Sequence, residues 1–104
     1  MGVNMGAYLV IQATVSNWDK FNLYIQAVTP LVENMGGRYI AMGAPELLEG
    51  ERCPKSVVMS QWPSPEAAKA FWYSPEYEKV KALRANTGEF NVMLVCGLSQ
   101  TTLE

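Results

Sequence analysis

The sequence predicts an α+β fold in the order βαββαβ, with helices covering one face of an antiparallel sheet. Three observations predict it. Four short apolar stretches alternate with a period of two, an amphipathic helical pattern follows the first of them, and a doubled Ser-Pro-Glu helix start follows the third. At 104 residues, with 49% hydrophobic and 17% charged residues, the chain reads as a single domain over 1–104 with its core at 8–98. The charged surface is thin for so small a domain, which leaves apolar material to face a partner.

The first strand, 8–15, places Leu9, Ile11, Ala13 and Val15 on one face and Tyr8, Val10, Gln12 and Thr14 on the other. Ser16 or Asn17 then caps a helix, because a short side-chain oxygen accepts the unpaired N–H groups of the first turn. Asp19 in that turn suits the helix dipole. Trp18, Phe21, Tyr24, Ile25, Val28, Leu31, Val32 and Met35 recur at three- and four-residue steps, with Lys20, Asn22, Gln26 and Glu33 between them. Pro30 lacks an N–H and crowds the Gln26 carbonyl, so a bend or a restart is expected there. Gly36-Gly37 ends the helix.

A second strand, 38–42, runs into Gly43-Ala44-Pro45, and the step Leu47-Leu48 followed by a turn at Glu49-Gly50 predicts a projecting hairpin arm. The third strand, 56–62, is read with Val57 and Met59 on one face and Val58 and Trp62 on the other. Ser64-Pro65-Glu66 and Ser74-Pro75-Glu76 each place a cap, a first-position proline and an acidic residue in the first turn. They predict two helices, over 65–73 and 75–85, ended by Asn86-Thr87-Gly88. Phe90, Val92, Leu94, Cys96 and Leu98 alternate with Asn91, Met93, Val95 and Gly97 in the last strand, which makes Cys96 a buried small hydrophobe. The tail, 99–104, carries no pattern and reads as loose or as an arm on a partner.

This order is the split βαβ plan of ferredoxin-like domains, whose helices cover one sheet face. The other face should be polar in a monomer. Here Val10, Val58, Trp62, Met93 and Val95 are assigned to it, more adjoining apolar surface than a monomer shows to water. A second copy, sheet against sheet, is the expected cover, which makes the chain a homodimeric α/β barrel.

Eight basic residues against ten acidic ones give a net charge of −2 with no basic cluster, which argues against nucleic acid as a partner. The opening residues lack the features of a signal peptide, and no run reaches the roughly 18–20 apolar residues of a membrane span. A cytoplasmic protein with no membrane partner is expected. Cys53 and Cys96 have no neighbours at zinc spacing, and the chain has no histidine. Ser–His and Cys–His pairs and His-ligated zinc or haem are thereby removed. Gly36-Gly37 follows a helix instead of opening one, so no phosphate loop is present. No cofactor and no metal are expected.

In order and spacing, Gly36-Gly37-Arg38-Tyr39, Leu48-Glu49-Gly50, the stretch 67–71 leading into Ser74-Pro75-Glu76-Tyr77, and Arg84 beyond it resemble domain-of-unknown-function family 1330, of the dimeric α/β-barrel superfamily. The resemblance spans nearly the whole chain. It implies two ferredoxin-like subunits whose sheets face each other. It implies no particular reaction, because relatives elsewhere in the superfamily look like cofactor-free monooxygenases, lactone isomerases, haem enzymes and non-catalytic modules. Haem ligation in such relatives relies on a histidine that this chain lacks.

Arg84 is the first candidate for chemistry. Tyr77, Val80 and Arg84 lie at i, i+3 and i+7 and share the helix face that looks inward. A guanidinium at a core edge needs a partner, and Glu49 on the arm is the expected carboxylate in a bidentate pair. Read functionally, Arg84 and Tyr39 polarise a substrate oxygen and Glu49 is acid or base. Read structurally, the pair pins the arm to the second helical region, with the arginine stem lying over apolar surface.

Tyr77, Trp18, Trp62 and Trp72 are candidate walls for a flat organic ligand, or core rings. Asp19, Glu66 and Glu76 are accounted for by helix starts. Three functions follow. The first is a homodimer binding a small organic ligand between sheet and helices. The second is a cofactor-independent enzyme, monooxygenase- or isomerase-like, acting on a small carbonyl or aromatic compound. The third is a non-catalytic structural or regulatory dimer.

Overall fold

The computed structural model describes residues 6–98. The expectations for the opening residues and for the tail 99–104 lie outside them. Strand β1 (Ala7–Val15) leads into α1 (Trp18–Asn34), β2 (Arg38–Gly43) and β3 (Ser56–Trp62). Helices α2 (Pro65–Trp72) and α3 (Pro75–Lys81), a 3-10 turn (Ala82–Arg84) and β4 (Gly88–Cys96) complete it. All pairings are antiparallel, in the order β2-β3-β1-β4, which is the ferredoxin-like sheet. No helix among the described residues is long and apolar enough to cross a membrane.

Local chemistry sets the helix ends. The Asn17 side chain accepts the Lys20 N–H at 3.1 Å and starts α1. At the other end Gly36, at φ 99°, donates to Glu33 O while Gly37 donates to Val32 O, a Schellman closure that needs a left-handed residue. Ser64 and Ser74 cap α2 and α3 through Ala67 N and Tyr77 N, with proline at the first position of each.

Pro30 does not interrupt α1, contrary to the expected bend or restart. One missing rung is outweighed by the buried pair Val28 and Val32, which anchor both sides of the proline to the sheet. The arm differs too. Residues 44–55 form neither strand nor helix, and Leu47 and Leu48 project from them, Leu48 with 88% of its surface exposed.

The register corrects the reading of β3. Trp62 pairs with Ala7, Ser60 with Leu9 and Val58 with Ile11, so all three point with the buried face of β1 toward the helices. The open face carries Val57 and Met59 in place of Val58 and Trp62. One row across that face runs Ala41, Met59, Val10, Met93, four apolar residues in register on four strands. The rows beside it are mixed, with Arg38, Gln61, Tyr8 and Val95 on one side and Gly43, Val57, Gln12 and Asn91 on the other.

Under the helices the core comprises Ala7, Leu9, Val28, Val32, Trp62, Ala68, Phe71 and Tyr77. Cys96 is exposed and not buried, because it ends the edge strand β4 beyond the cover of the helices.

Candidate functional site

Between α1 and the sheet the core opens into a cavity of about 170 Å³. Its floor is Ile11, Ala13 and Val15 of β1 with Val58, Phe90 and Val92 of the neighbouring strands, and α1 supplies Phe21, Tyr24, Ile25 and Val28 as its roof. A bulge in β2 between Tyr39 and Ala41 shapes one wall. It sets Tyr39 opposite Ser60 and Met42 opposite Val58, so residues three apart both reach the helix side.

The polar atoms of the cavity are mainly three phenols and one guanidinium. Tyr24 and Tyr77 share a hydroxyl–hydroxyl bond of 2.8 Å. Tyr77 owes its position to Ser74, whose hydroxyl donates to Phe71 O at 2.8 Å and accepts from Tyr77 N at 3.0 Å, welding the end of α2 to the start of α3. Burial pushes the Tyr24 phenol far above its ordinary range, reinforced by Tyr77 and Tyr39, while Arg84 acts weakly in the opposite direction. Burial and then Tyr77 push Tyr39 up to about 12. Tyr24 and Tyr39 therefore stand in the cavity as neutral hydrogen-bond donors.

Arg84 closes the 3-10 turn, and its carbonyl is clamped by the Thr87 hydroxyl at 2.6 Å. The Thr87 carbonyl in turn accepts from Ser16 N and Asn17 N, and Lys20 Nζ reaches Ala85 O at 2.7 Å. Those bonds tie the turn to the start of α1. The guanidinium lies 4.3 Å from the centroid of Phe90 and 5.6 Å from that of Tyr24.

Of the residues singled out from sequence, Tyr39, Tyr77, Arg84 and Trp18 line this cavity. Trp18 stands at its edge, 52% exposed, with its ring edge-on to Phe21. Glu49 does not join them. It is exposed on the arm, and among the described residues it makes no ion pair with Arg84, whose guanidinium faces aromatic rings instead.

Trp62 is a core residue, 1% exposed, and its indole N–H donates to Ser60 Oγ at 2.9 Å. Trp72 lines a separate groove with Leu9, Ala68, Lys69, Tyr73 and Leu94, and Lys81 Nζ sits 4.7 Å from its ring centroid. Tyr24, Phe21 and Phe90 are functional candidates that the sequence reading left in the core pattern. Their signal was spacing: Phe21 and Tyr24 fall one turn apart, and Phe90 opens the apolar face of β4. Among the described residues no group of three or more Cys, Asp or Glu side chains is placed to hold a metal ion.

A family model described as a domain of unknown function (DUF1330) matches residues 6–98. The chain belongs to that family. No curated protein matches this DUF1330 chain. In structure it is similar to a protein of unknown function from Rhodopseudomonas palustris, at 14% identity and a TM-score of 0.75, over 91% of this chain and 84% of that one. A dimeric ferredoxin-like protein of unknown function from Thermobifida fusca matches at 16% identity and a TM-score of 0.60, over 88% and 90%. A candidate antibiotic biosynthesis monooxygenase from Nitrosomonas europaea matches at 13% identity and 0.55, over 94% of each. At these identities the DUF1330 chain shares their fold.

Proposed function

We propose that this DUF1330 protein is a homodimer in which each copy holds a small organic ligand in the cavity beneath α1. The cavity itself carries the reading. A concave space of about 170 Å³ opens between α1 and the sheet, and its walls are apolar apart from a few convergent polar groups, which is the character of a small-molecule site. Binding is favoured over proton-transfer catalysis because the lining side chains among the described residues include donors and a cation but no carboxylate, and Tyr24 and Tyr39 hold their protons too firmly to serve as bases.

The apolar row Ala41, Met59, Val10 and Met93 supports pairing through the open sheet face. The dimeric Thermobifida fusca neighbour has the same fold. Such an interface buries about 1,600 Å² in total. Sedimentation at micromolar concentration is expected to give twice the 11.5 kDa chain mass, and Val10→Glu to give the monomer.

Ligand binding is tested by an NMR fragment titration on the wild type and on Val58→Trp, which fills the cavity from its floor. Fragments of one ring are expected to shift Tyr24, Tyr39 and Phe90 resonances in the wild type only. Shifts that persist unchanged in a folded Val58→Trp variant place binding elsewhere and end the proposal. Conversion of a bound fragment during incubation would favour the enzymatic reading, with Arg84 and Tyr39 polarising its oxygen.

A further inference from the structure

We propose that the ligand is a small aromatic carboxylate, held with its ring among the aromatic side chains and its carboxylate on Arg84. This rests on the ligand-binding reading above and adds the chemical class of the occupant.

Among the described residues Arg84 is the one charged side chain lining the cavity. Its environment is unusual for a half-buried guanidinium. Arg38, on the surface, gives Nε and Nη2 to Gln61 at 3.1 and 2.9 Å. Arg84 has no such acceptor among the described residues. Aromatic rings lie against it instead, with the centroids of Phe90 and Tyr24 at 4.3 Å and 5.6 Å from the guanidinium carbon.

An aromatic ring takes up no conventional hydrogen bond, so these contacts leave the guanidinium N–H donors for a ligand, and their planar fork matches the two oxygens of a carboxylate. A charge taken partly out of water without a counter-ion is costly. An anionic ligand removes that cost on binding.

The remaining surface specifies the other end. Phe21 stacks on Phe90 at 5.5 Å and on Tyr24 at 5.4 Å, which forms a continuous aromatic wall beside Arg84. A cavity of about 150 Å³ holds one benzene molecule, so about 170 Å³ is sized for a single six-membered ring and too small to enclose a fused three-ring system.

The hydroxyls set a preference for acceptors. The Tyr24–Tyr77 bond uses one of the pair's two protons and leaves the other to donate, and Tyr39 has no side-chain partner among the described residues. These donors complement a carboxylate oxygen or an oxygen substituent on the ring. An ammonium group would instead meet the like charge of Arg84.

Benzoate, its neutral isostere benzamide, toluene and anthracene-9-carboxylate discriminate the possibilities when titrated at pH 7 and followed by NMR at Tyr24 and Phe90. Benzoate is expected to bind roughly tenfold or more tightly than benzamide, and anthracene-9-carboxylate not at all. Arg84→Met keeps much of the apolar stem and is expected to abolish the benzoate preference while toluene still binds.

Benzamide binding as tightly as benzoate in the wild type overturns the carboxylate assignment and leaves the cavity reading standing. So does a benzoate preference that survives in Arg84→Met. If neither benzoate nor toluene shifts these resonances, the ligand-binding reading falls with it. The comparison of probes on the wild type needs no variant to fold.

Discussion

Replacing Trp62 by alanine is expected to lower the unfolding free energy by about 3–5 kcal/mol. The ring is 1% exposed, packs on Phe71 at 4.8 Å between centroids, and lies so close under Gly37 that a Cβ there would sit 2.6 Å from it. Its removal leaves a void that the sheet beneath cannot collapse to fill. It also strands the buried Ser60 hydroxyl, which now accepts the indole N–H at 2.9 Å. An unpaired buried hydroxyl adds about 1–3 kcal/mol of its own, so the loss belongs at the top of the range.

A domain of this size has about 5–15 kcal/mol to lose. Urea unfolding measures the difference, with wild type and variant at one protein concentration because a dimer's stability depends on it. A loss below about 1 kcal/mol would return Trp62 to the open sheet face first read for it.

Gly88→Ala is expected to destabilise by about 3 kcal/mol or more, although it adds a single methyl group. A Cβ at this position falls on the Thr14 carbonyl oxygen and 2.8 Å from Val15 Cα. Both are backbone atoms of the central strand, so no side chain can rotate aside. Relief requires β4 to move, and β4 begins next to Thr87, a fully buried residue whose carbonyl accepts Ser16 N at 2.7 Å and Ser16 Oγ at 3.1 Å. The clash therefore propagates to the start of α1. Thermal unfolding of the variant checks it, and a change in Tm under about 3 °C would contradict the close approach.

Elements governed by local chemistry were legible in the sequence. The caps at Ser64 and Ser74 divide the second helical region because a Ser-Pro-Glu start needs no tertiary information. The alternation of β1 and β4 fixes their faces because Gln12, Thr14 and Asn91 mark the outward phase, although Val10, Met93 and Val95 share it. The face of β3 was not legible. Val57, Val58 and Met59 are all apolar, so the period of two has no phase, and Ser60 inverts the remaining cue by pointing inward to receive the Trp62 N–H.

The site was partly legible. Tyr77 and Arg84 share an inward face across the change from α3 to the 3-10 turn, and both line the cavity. Glu49 was placed by the expectation that a buried guanidinium takes a carboxylate from its own chain. Nothing periodic constrains residues 44–55, and Phe90 and Tyr24 lie against Arg84 instead. The contribution of Tyr24 depends on the 2.8 Å bond to a residue 53 positions away, which no spacing rule encodes.

The chemistry of the lining has a consequence for measurement. Among the described residues the cavity wall holds no aspartate, glutamate or histidine side chain, the groups that exchange protons most readily between about pH 4 and 8. The pocket is thus a fixed-charge receptor across that interval. An aromatic carboxylate, ionised from about pH 5 upward, should therefore bind with an affinity that stays level with pH from there, and a slope there would point to an occupant that itself titrates near neutrality.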